Sequence, residues 1–371
     1  MNDTAIALSW RAIVDELIAL KSEVAFADQA MKDSVAIFGA GQCGAAAFKY
    51  LTQLGANVIC FVDNDINKQG CYVDGCKIVS PEEMLLLSPS IIFIAARHAV
   101  SPIKKQLKAL NVHSISLDAY KLAIQTKQLE EIRHEFLNDD TSRVVFDAVV
   151  NAMLTGNEAY CEHVMEGNQN FALPQFMNTC KREHFVDAGA YVGDSIERFI
   201  WSNNGVFERI YAFEPGPAQH KALTIRMRRL ANEWAFEASR FECINAALAD
   251  DNKKANLSAN SMLQSTSIED SCTSDETVSM YKLDSFLGER PATFIKVDVE
   301  GMELRMLRGA RETIRKFKPK LAVSVYHNAE DLFEIPEFIK DLVPEYKMAV
   351  RHHAPMLMET VLYCWVEDEG V

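Results

Sequence analysis

The stretch Phe185-Val186-Asp187-Ala188-Gly189-Ala190-Tyr191-Val192-Gly193-Asp194 decides how the C-terminal half of this chain is read. A short apolar run that ends in an acid and passes into Gly-x-x-x-Gly predicts a buried strand turning sharply into a helix, whose first backbone N–H groups face a ligand. Glycines at 189 and 193 let backbone approach a nucleoside with no Cβ in the way. The next apolar run, residues 209–213, ends in Glu214, 25 residues after Gly189, where an acid accepts the hydroxyls of a ribose in dinucleotide folds. Pro215 stops that strand. Asp187, Gly189, Tyr191, Gly193, Asp194 and Glu214 are the first candidate cofactor residues.

A chain of 371 residues exceeds one ordinary core and predicts two or three domains. With 49% hydrophobic and 24% charged residues and no apolar run near the ~18 needed to cross a bilayer, it reads as a soluble globular protein without a membrane span. Residues 1–4, Met-Asn-Asp-Thr, do not begin a basic segment followed by an apolar one, so a cytoplasmic location is expected. A net charge of −14 argues against a broad nucleic-acid surface, and the short cluster Arg226, Arg228 and Arg229 reads as a solvated helix face. The nine cysteines are scattered, lack zinc spacing and read as reduced thiols.

Ile6, Trp10, Ile13, Leu17, Leu20 and Val24 form an apolar stripe along one opening helix, expected within residues 1–30; it packs on a neighbouring domain or forms the seam of a homodimer. Residues 34–44 then give a strand, Gly39-Ala40-Gly41-Gln42-Cys43-Gly44 and the start of a helix, the nucleotide-binding fingerprint in its proper context. A strand over 57–62 ends in Asp63, 24 residues after Gly39, close to the ~20 expected for a ribose-binding acid. A helix opened by Ser80 and Pro81 leads to further strands over 90–95 and 114–117. Residues 31–120 therefore read as one doubly wound α/β domain with a candidate nucleotide site at Gly39, Gly41, Gly44 and Asp63. Through Ile37-Phe-Gly-Ala-Gly41, Phe61-Val-Asp-Asn-Asp65 and Val73-Asp-Gly-Cys-Lys-Ile78 the domain resembles the N-terminal Rossmann-like domain attached to sugar-modifying enzymes, including the sialic-acid-type acetyltransferases. That resemblance implies a nucleotide or nucleotide-sugar ligand; a docking domain with an empty cleft is the other reading.

Residues 121–180 turn helical, with stripes Leu129, Ile132, Phe136 and Val145, Val149, Met153, and are expected to connect the domains. Within them Asn168-Gln-Asn-Phe-Ala-Leu-Pro174 has the composition of a loop suited to a lid or substrate wall. Beyond Glu214, a strand over 241–245 leads to Ala246 and Asp250 beside the same crevice, where Asp250 either receives an adenine amino group or makes a surface turn. A polar segment through Ser258, Ser261, Ser265, Thr266 and Ser267 to Asp275 and Glu276 is long for a structureless loop and suggests a substrate-facing insertion or disorder. Thr293-Phe-Ile-Lys-Val-Asp-Val-Glu-Gly301 predicts another buried strand with an acidic exit. Period-two alternation puts Phe294, Lys296, Asp298 and Glu300 on one face, so a lysine and two carboxylates lie within reach of one another, as catalytic groups or as a structural ion pair.

Phe185-Val-Asp-Ala-Gly-Ala-Tyr-Val-Gly193, Ala212-Phe-Glu-Pro215, Asn245-Ala246, Leu283-Asp284 and Ile295-Lys-Val-Asp-Val-Glu-Gly301 with Leu307-x-Gly-Ala310 resemble, in order and spacing, the FkbM family of S-adenosylmethionine-dependent methyltransferases across residues 181–371. The resemblance implies a class I methyltransferase domain with a seven-stranded sheet and S-adenosylmethionine as cofactor. It also implies methyl transfer to an oxygen of a sugar, glycan or natural-product intermediate, as in polysaccharide biosynthesis. The family's usual histidine after the next strand matches His327, while Ser324 stands where an acidic residue is common. Two closing strands, over 346–350 and 360–365 around the polar tip Arg351-His352-His353-Ala354-Pro355, supply the terminal antiparallel hairpin that this fold requires. The fold class expected is thus α/β with two doubly wound Rossmann-like domains.

Methyl transfer from a sulfonium is an in-line displacement, so nucleophile, methyl carbon and sulfur must be held collinear with water excluded. A sugar hydroxyl also needs a proton acceptor. A histidine pKa near working pH suits His327 as general base, with Asp298, Lys296 and Glu300 as the other candidate catalytic residues and Asp298, at its strand's carboxyl end, a candidate cofactor-binding residue as well. Asp298 either orients the hydroxyl or joins His327 and Asn328 around a divalent metal, although no metal site is assigned. His352 and His353 read as a solvent-facing turn. Two other classes stay open: a nicotinamide-dependent oxidoreductase working at Gly39, Gly41, Gly44 and Asp63, and a non-catalytic nucleotide-sugar-binding or scaffold protein.

Overall fold

The computed structural model describes residues 9–177, 182–259, 266–269 and 277–367. The chain forms two compact bodies. One holds residues up to Glu131 with Val144–Val164 and Pro355–Leu357; the other holds Ile132–Arg143, Met165–Ala354 and the stretch from Met358 onward. The expected connector, 121–180, is divided between them, and the helix Asp140–Thr155 runs across the 143/144 boundary.

The first body is built on a six-stranded sheet. Apolar runs give β1 (Val35–Phe38) and β2 (Val58–Val62), followed by β3 (Tyr72–Val73), β4 (Cys76–Val79), β5 (Ile91–Ile94) and β6 (Ser114–Ser116), in the spatial order β3-β4-β2-β1-β5-β6. Neighbours are parallel except in the β3–β4 hairpin. β1 and β5 are buried along their whole length, as strands covered on both faces must be. The hairpin escapes a reading by alternation because each arm is short, yet its turn, Asp74-Gly75, has positive φ at both residues (47° and 80°), as a type I′ turn requires. Ser80 Oγ accepts the Glu83 N–H at 3.1 Å with Pro81 in the first turn, as its sequence anticipates.

The opening stripe forms two helices, Trp10–Ala19 and Lys21–Ala30, rather than one. The interruption is a single residue, Leu20, whose N–H still bonds the Glu16 carbonyl at 3.0 Å. Ile13, Leu17 and Val24 are buried, and Tyr120 donates its hydroxyl to Asp28 at 2.7 Å, tying the second helix to the helix Leu117–Ile124. Ile6 lies outside the described residues.

In the second body β7 (Glu183–Ala188), β8 (Phe207–Phe213) and β9 (Phe241–Ile244) precede a small separate sheet of β10 (Ala246–Leu248), β11 (Lys253–Ala259), β12 (Thr266–Glu269) and β13 (Thr277–Tyr281). Then come β14 (Phe294–Val297), β15 (Lys320–Ser324), β16 (Lys347–His352) and β17 (Thr360–Trp365). The main sheet has seven strands in the order β16-β17-β15-β14-β7-β8-β9, and β17 runs antiparallel to both its neighbours. This is the seven-stranded sheet with a closing hairpin that the sequence led us to expect. Its core is aromatic: Phe185 of β7 stacks on Phe199 with centroids 4.4 Å apart, and Phe199 joins Ile196 and Ile200 on the buried face of the helix Asp194–Ser202.

Two expectations about this body change. Part of the polar segment is strand: Ser258 lies in β11, and Thr266 and Ser267 lie in β12, where Ser258 pairs with Ser267. Ser261, Ser265, Asp275 and Glu276 lie outside the described residues. The hairpin tip is also shorter than its polarity suggested. Arg351 and His352 are buried in β16, because Arg351 pairs with Asp139 (3.2 Å) and Glu166 (3.4 Å) and His352 Nδ1 lies 2.8 Å from Thr360 Oγ1. His353 is half-buried, with one ring nitrogen 2.9 Å from the Glu166 carbonyl and the other 2.9 Å from the Tyr363 hydroxyl. The pair is therefore not a solvent-facing turn. Among the described residues, no helix is long and apolar enough to cross a membrane.

Candidate functional site

The order of the main sheet reverses at β7, with β8 and β9 on one side and β14 and β15 on the other. Loops leaving β7 and β14 diverge there and open a crevice at the carboxyl ends of the strands, where ligands of parallel α/β sheets collect. The two loops are locked together at their base. β7–β14 register sets Lys296 opposite Asp187; the ammonium lies 3.1 Å from Asp187 Oδ1, and the other Asp187 oxygen accepts the Ser195 hydroxyl. Lys296 also donates to the Gly189 carbonyl at 2.6 Å and lies 4.0 Å from Asp298. Burial disfavours its ammonium, but the carboxylates of Asp187 and Asp298 outweigh that and hold the amine above the usual lysine range. With its side chain 6% exposed, Lys296 fastens the loops from below and does not reach into the crevice. Gly189 completes the lock: at φ +80° its position has no room for a side chain, since a Cβ would fall 1.8 Å from the Asp298 carbonyl oxygen.

Glu214 stands at the end of β8, nearly fully buried. One of its oxygens accepts the Tyr191 N–H at 2.9 Å and the other the Gly216 N–H at 2.7 Å, so the acid ties the glycine loop to the neighbouring strand. Burial pushes its carboxyl up to about 7 in spite of both donors. Tyr191 adopts φ +46° and leaves its side chain exposed at the mouth, while Gly193 and Asp194 open the helix below it. Asn245, unassigned from sequence, clamps the far wall by donating from Nδ2 to the carbonyls of Glu214 and Pro215, both at 2.9 Å, and leads into the buried Ala246. Asp250 follows at the bend after β10. It pairs with Arg305 at 2.8 Å, which, against some burial, holds its carboxyl below the usual range.

The other wall gathers acids around one histidine. Glu300 (φ +54°) and Gly301 (φ +89°) turn the chain after β14 so that Asp298, Glu300 and Glu303 converge. Glu303, in the first turn of the helix Glu303–Gly309, is fully buried and accepts the N–H groups of Val299 (2.9 Å) and Gly301 (3.3 Å). His327, just beyond β15, sets Nδ1 3.0 Å from Glu303 and Nε2 3.6 Å from Glu300 and 3.9 Å from Asp298. Glu303 thus supplies the acid that Ser324 does not, from a different strand's exit. Glu359, before β17, and Asp331 also belong here; burial, then the charge of Asp298, pushes Glu359 up to about 7, and burial, then Glu303, pushes Asp331 up to about 8. For His327, burial favours the neutral ring, but Glu303, Asp298 and Glu300 outweigh it and push the imidazolium up to about 10. The ligand-free ring therefore carries its proton at neutral pH, and a base role requires that the negative field first be offset.

In the first body, Asp63 closes the glycine turn instead of standing clear of it: its oxygens accept the N–H groups of Ala40 and Asp65, each at 2.9 Å, and the Lys68 ammonium at 3.0 Å. Gly44 packs on Gly39, whereas nothing lies within 4 Å of where a Cβ on Gly41 would sit. Backbone at Gly41 is thus the approachable point of that turn.

Comparison with known proteins gives two family matches: residues 187–346 match the methyltransferase FkbM domain, and residues 31–116 match the C2185-like N-terminal domain. No curated protein matches. Among solved structures, the chain is similar to the methyltransferase FkbM from Methylobacillus flagellatus KT at 22% identity and TM-score 0.59, covering 96% of this chain and 98% of that one. Lesser overlaps are with UDP-D-quinovosamine 4-dehydrogenase from Vibrio fischeri (27% identity, TM-score 0.21, 26% of this chain and 86% of that one) and with fibrillarin from Aeropyrum pernix (10% identity, TM-score 0.32, 50% and 67%). The Methylobacillus flagellatus protein shares the fold over nearly the whole length. The crevice where the seven-stranded sheet reverses its order and the locked glycine turn both lie within the stretch, residues 187–346 of the second body, that matches the methyltransferase FkbM domain.

Proposed function

We propose that the second body transfers a methyl group from S-adenosylmethionine to a hydroxyl of a small-molecule or glycan acceptor of the sugar or natural-product class. One observation carries the reading: the buried Glu214 carboxylate, fixed by two backbone donors beside the Gly189 turn of an FkbM domain. Each of its oxygens accepts one N–H and keeps a second acceptor position, which suits the two hydroxyls of a ribose. Asp187, Gly189, Tyr191, Gly193 and Asp194 border the same side, and Asn245 and Ala246 the adenine side.

When bound, the cofactor supplies an electrophilic methyl on a sulfonium: a C–O bond forms as the C–S bond breaks, leaving S-adenosylhomocysteine and the proton of the acceptor. Asp298, on the crevice side of the cluster, orients the acceptor hydroxyl. His327, steadied at Nδ1 by Glu303, takes the proton once positive charge offsets its carboxylates. Lys296 acts as a positioning residue. In the first body, Gly39, Gly41 and Gly44 form a site for a nucleotide or nucleotide-sugar, with phosphate approaching at Gly41.

The test is incubation with S-adenosylmethionine and a panel of sugar, glycan and polyol acceptors, followed by mass spectrometry for one added methylene. Asp298→Asn and His327→Gln are expected to lower kcat by about 10²- to 10⁴-fold with cofactor affinity kept. Cofactor binding without turnover of any acceptor would favour a binding protein. Hydride transfer with a nicotinamide cofactor would move the chemistry to the first body.

A further inference from the structure

The acid–histidine cluster holds an atom that hydrogen bonding leaves unexplained. Glu303 is fully buried, and while one of its oxygens accepts two backbone N–H groups, Oε2 has no hydrogen-bond partner. A lone buried carboxylate oxygen is costly, and in a native protein it calls for a cause such as an ordered water, a bound ion or a catalytic role. Asp298, Glu303 and His327 each offer one donor atom, and the three atoms lie within 4.8 Å of one another. A divalent ion with bonds of ~2.1 Å places its donors about 3 to 4 Å apart, so closing this set takes side-chain shifts of the order of an ångström.

We propose that Asp298, Glu303 and His327 bind a first-row divalent cation. The three donors come from the end of β14, the first turn of the helix behind it and the exit of β15, so the sheet itself presets them. Two carboxylates supply the charge, and the imidazole nitrogen favours a first-row ion over magnesium or calcium. Glu300, 3.6 Å from the ring, adds a further acid at the rim. Asn328, the third ligand suggested by sequence, is engaged with Asp331: the carboxylate accepts its backbone N–H at 2.7 Å and its side-chain amide at 3.3 Å. Three protein ligands leave coordination positions open. On the methyltransferase reading, on which this role rests, the acceptor hydroxyl binds at one of them, where the cation favours its ionised form; His327 then serves as a ligand in place of the base, and the hydroxyl proton passes to the rim carboxylate Glu300.

The test uses the full-length chain, stripped with a chelator and titrated with Mn²⁺ while the signal of free Mn²⁺ is followed by electron paramagnetic resonance. Wild-type protein is expected to take up one equivalent, and Asp298→Asn, His327→Gln and Glu303→Gln each to bind at least about tenfold more weakly. Glu303→Gln keeps an acceptor for Val299 and Gly301; should it misfold, Asp298→Asn, at a partly exposed position, carries the test. No uptake by the wild type at millimolar Mn²⁺, or equal uptake by all folded variants, overturns the site. S-adenosylmethionine is titrated separately in chelator: cofactor binding without Mn²⁺ uptake removes the cation site alone, and Mn²⁺ uptake abolished by the substitutions supports it even where the cofactor fails to bind.

Discussion

Replacing Lys296 by methionine keeps the apolar stem and deletes the ammonium. Asp187 is then left at 0% side-chain exposure with only the Ser195 hydroxyl to satisfy it. At the observed 3.1 Å and an effective dielectric near 20, the lost attraction is about 5 kcal/mol, and breaking a buried pair from one side typically costs ~3–5 kcal/mol. Adding Asp187→Asn removes the stranded charge, so the double variant should recover most of the loss and show a coupling of ~2–3 kcal/mol. The assay is urea unfolding followed by tryptophan fluorescence, because Trp201, Trp234 and Trp365 lie in the second body and Trp10 alone in the first. Lys296→Met unfolding within about 1 kcal/mol of the wild type, or a double variant no better than the single, would refute the lock and return Lys296 to the list of substrate-contacting groups.

Glu214 is expected to make stability depend on pH. Folded, it keeps its proton up to about 7, against 4.5 ordinarily, so its contribution is complete below about pH 4.5 and falls by ~3 kcal/mol as pH rises to about 7. Glu214→Gln should flatten that part of the curve in thermal unfolding across the same range. Binding of a ribose to the ionised acid should release a proton near pH 6, seen as calorimetric heats that change with the ionisation enthalpy of the buffer. Gly189→Ala should destabilise by more than ~4 kcal/mol, because its Cβ meets the Asp298 carbonyl at 1.8 Å, while Gly41→Ala, with nothing within 4 Å, should leave the melting temperature unchanged. Asp284 accepts the N–H groups of Glu312 (3.0 Å) and Thr313 (2.8 Å) at the start of the helix Arg311–Phe317; Asp284→Ala should cost ~1–2 kcal/mol in urea unfolding without altering cofactor affinity.

The parts that follow from local pattern were legible in sequence. Apolar runs ending in Asp187 and Glu214 become β7 and β8, and the stretch through Lys296 becomes β14, because parallel strands buried on both faces leave an unbroken apolar signature. What sequence could not show depends on register and on convergence of separate loops. Alternation places Lys296 and Asp298 on one face, but only the pairing of Lys296 with Asp187 reveals that the ammonium points to the neighbouring strand. Glu303 reads as an ordinary acid in a first helical turn, and Glu359 as part of a hairpin loop; each meets His327 or Asp298 only once three strand exits are brought together. Arg305 claims Asp250 in the same way, across 55 positions of chain. β11 and β12 carry mostly small and polar residues and are defined by pairing with each other rather than by an apolar period.

The measurement that bears most directly on the account is isothermal titration of ligand-free protein with S-adenosylmethionine, beside NAD and beside a Glu214→Ala variant. The account predicts a saturable signal at one site per chain that the substitution abolishes while the fold is retained. No heat with S-adenosylmethionine and a clear signal with NAD would contradict it and place the chemistry at the glycine turn of the first body.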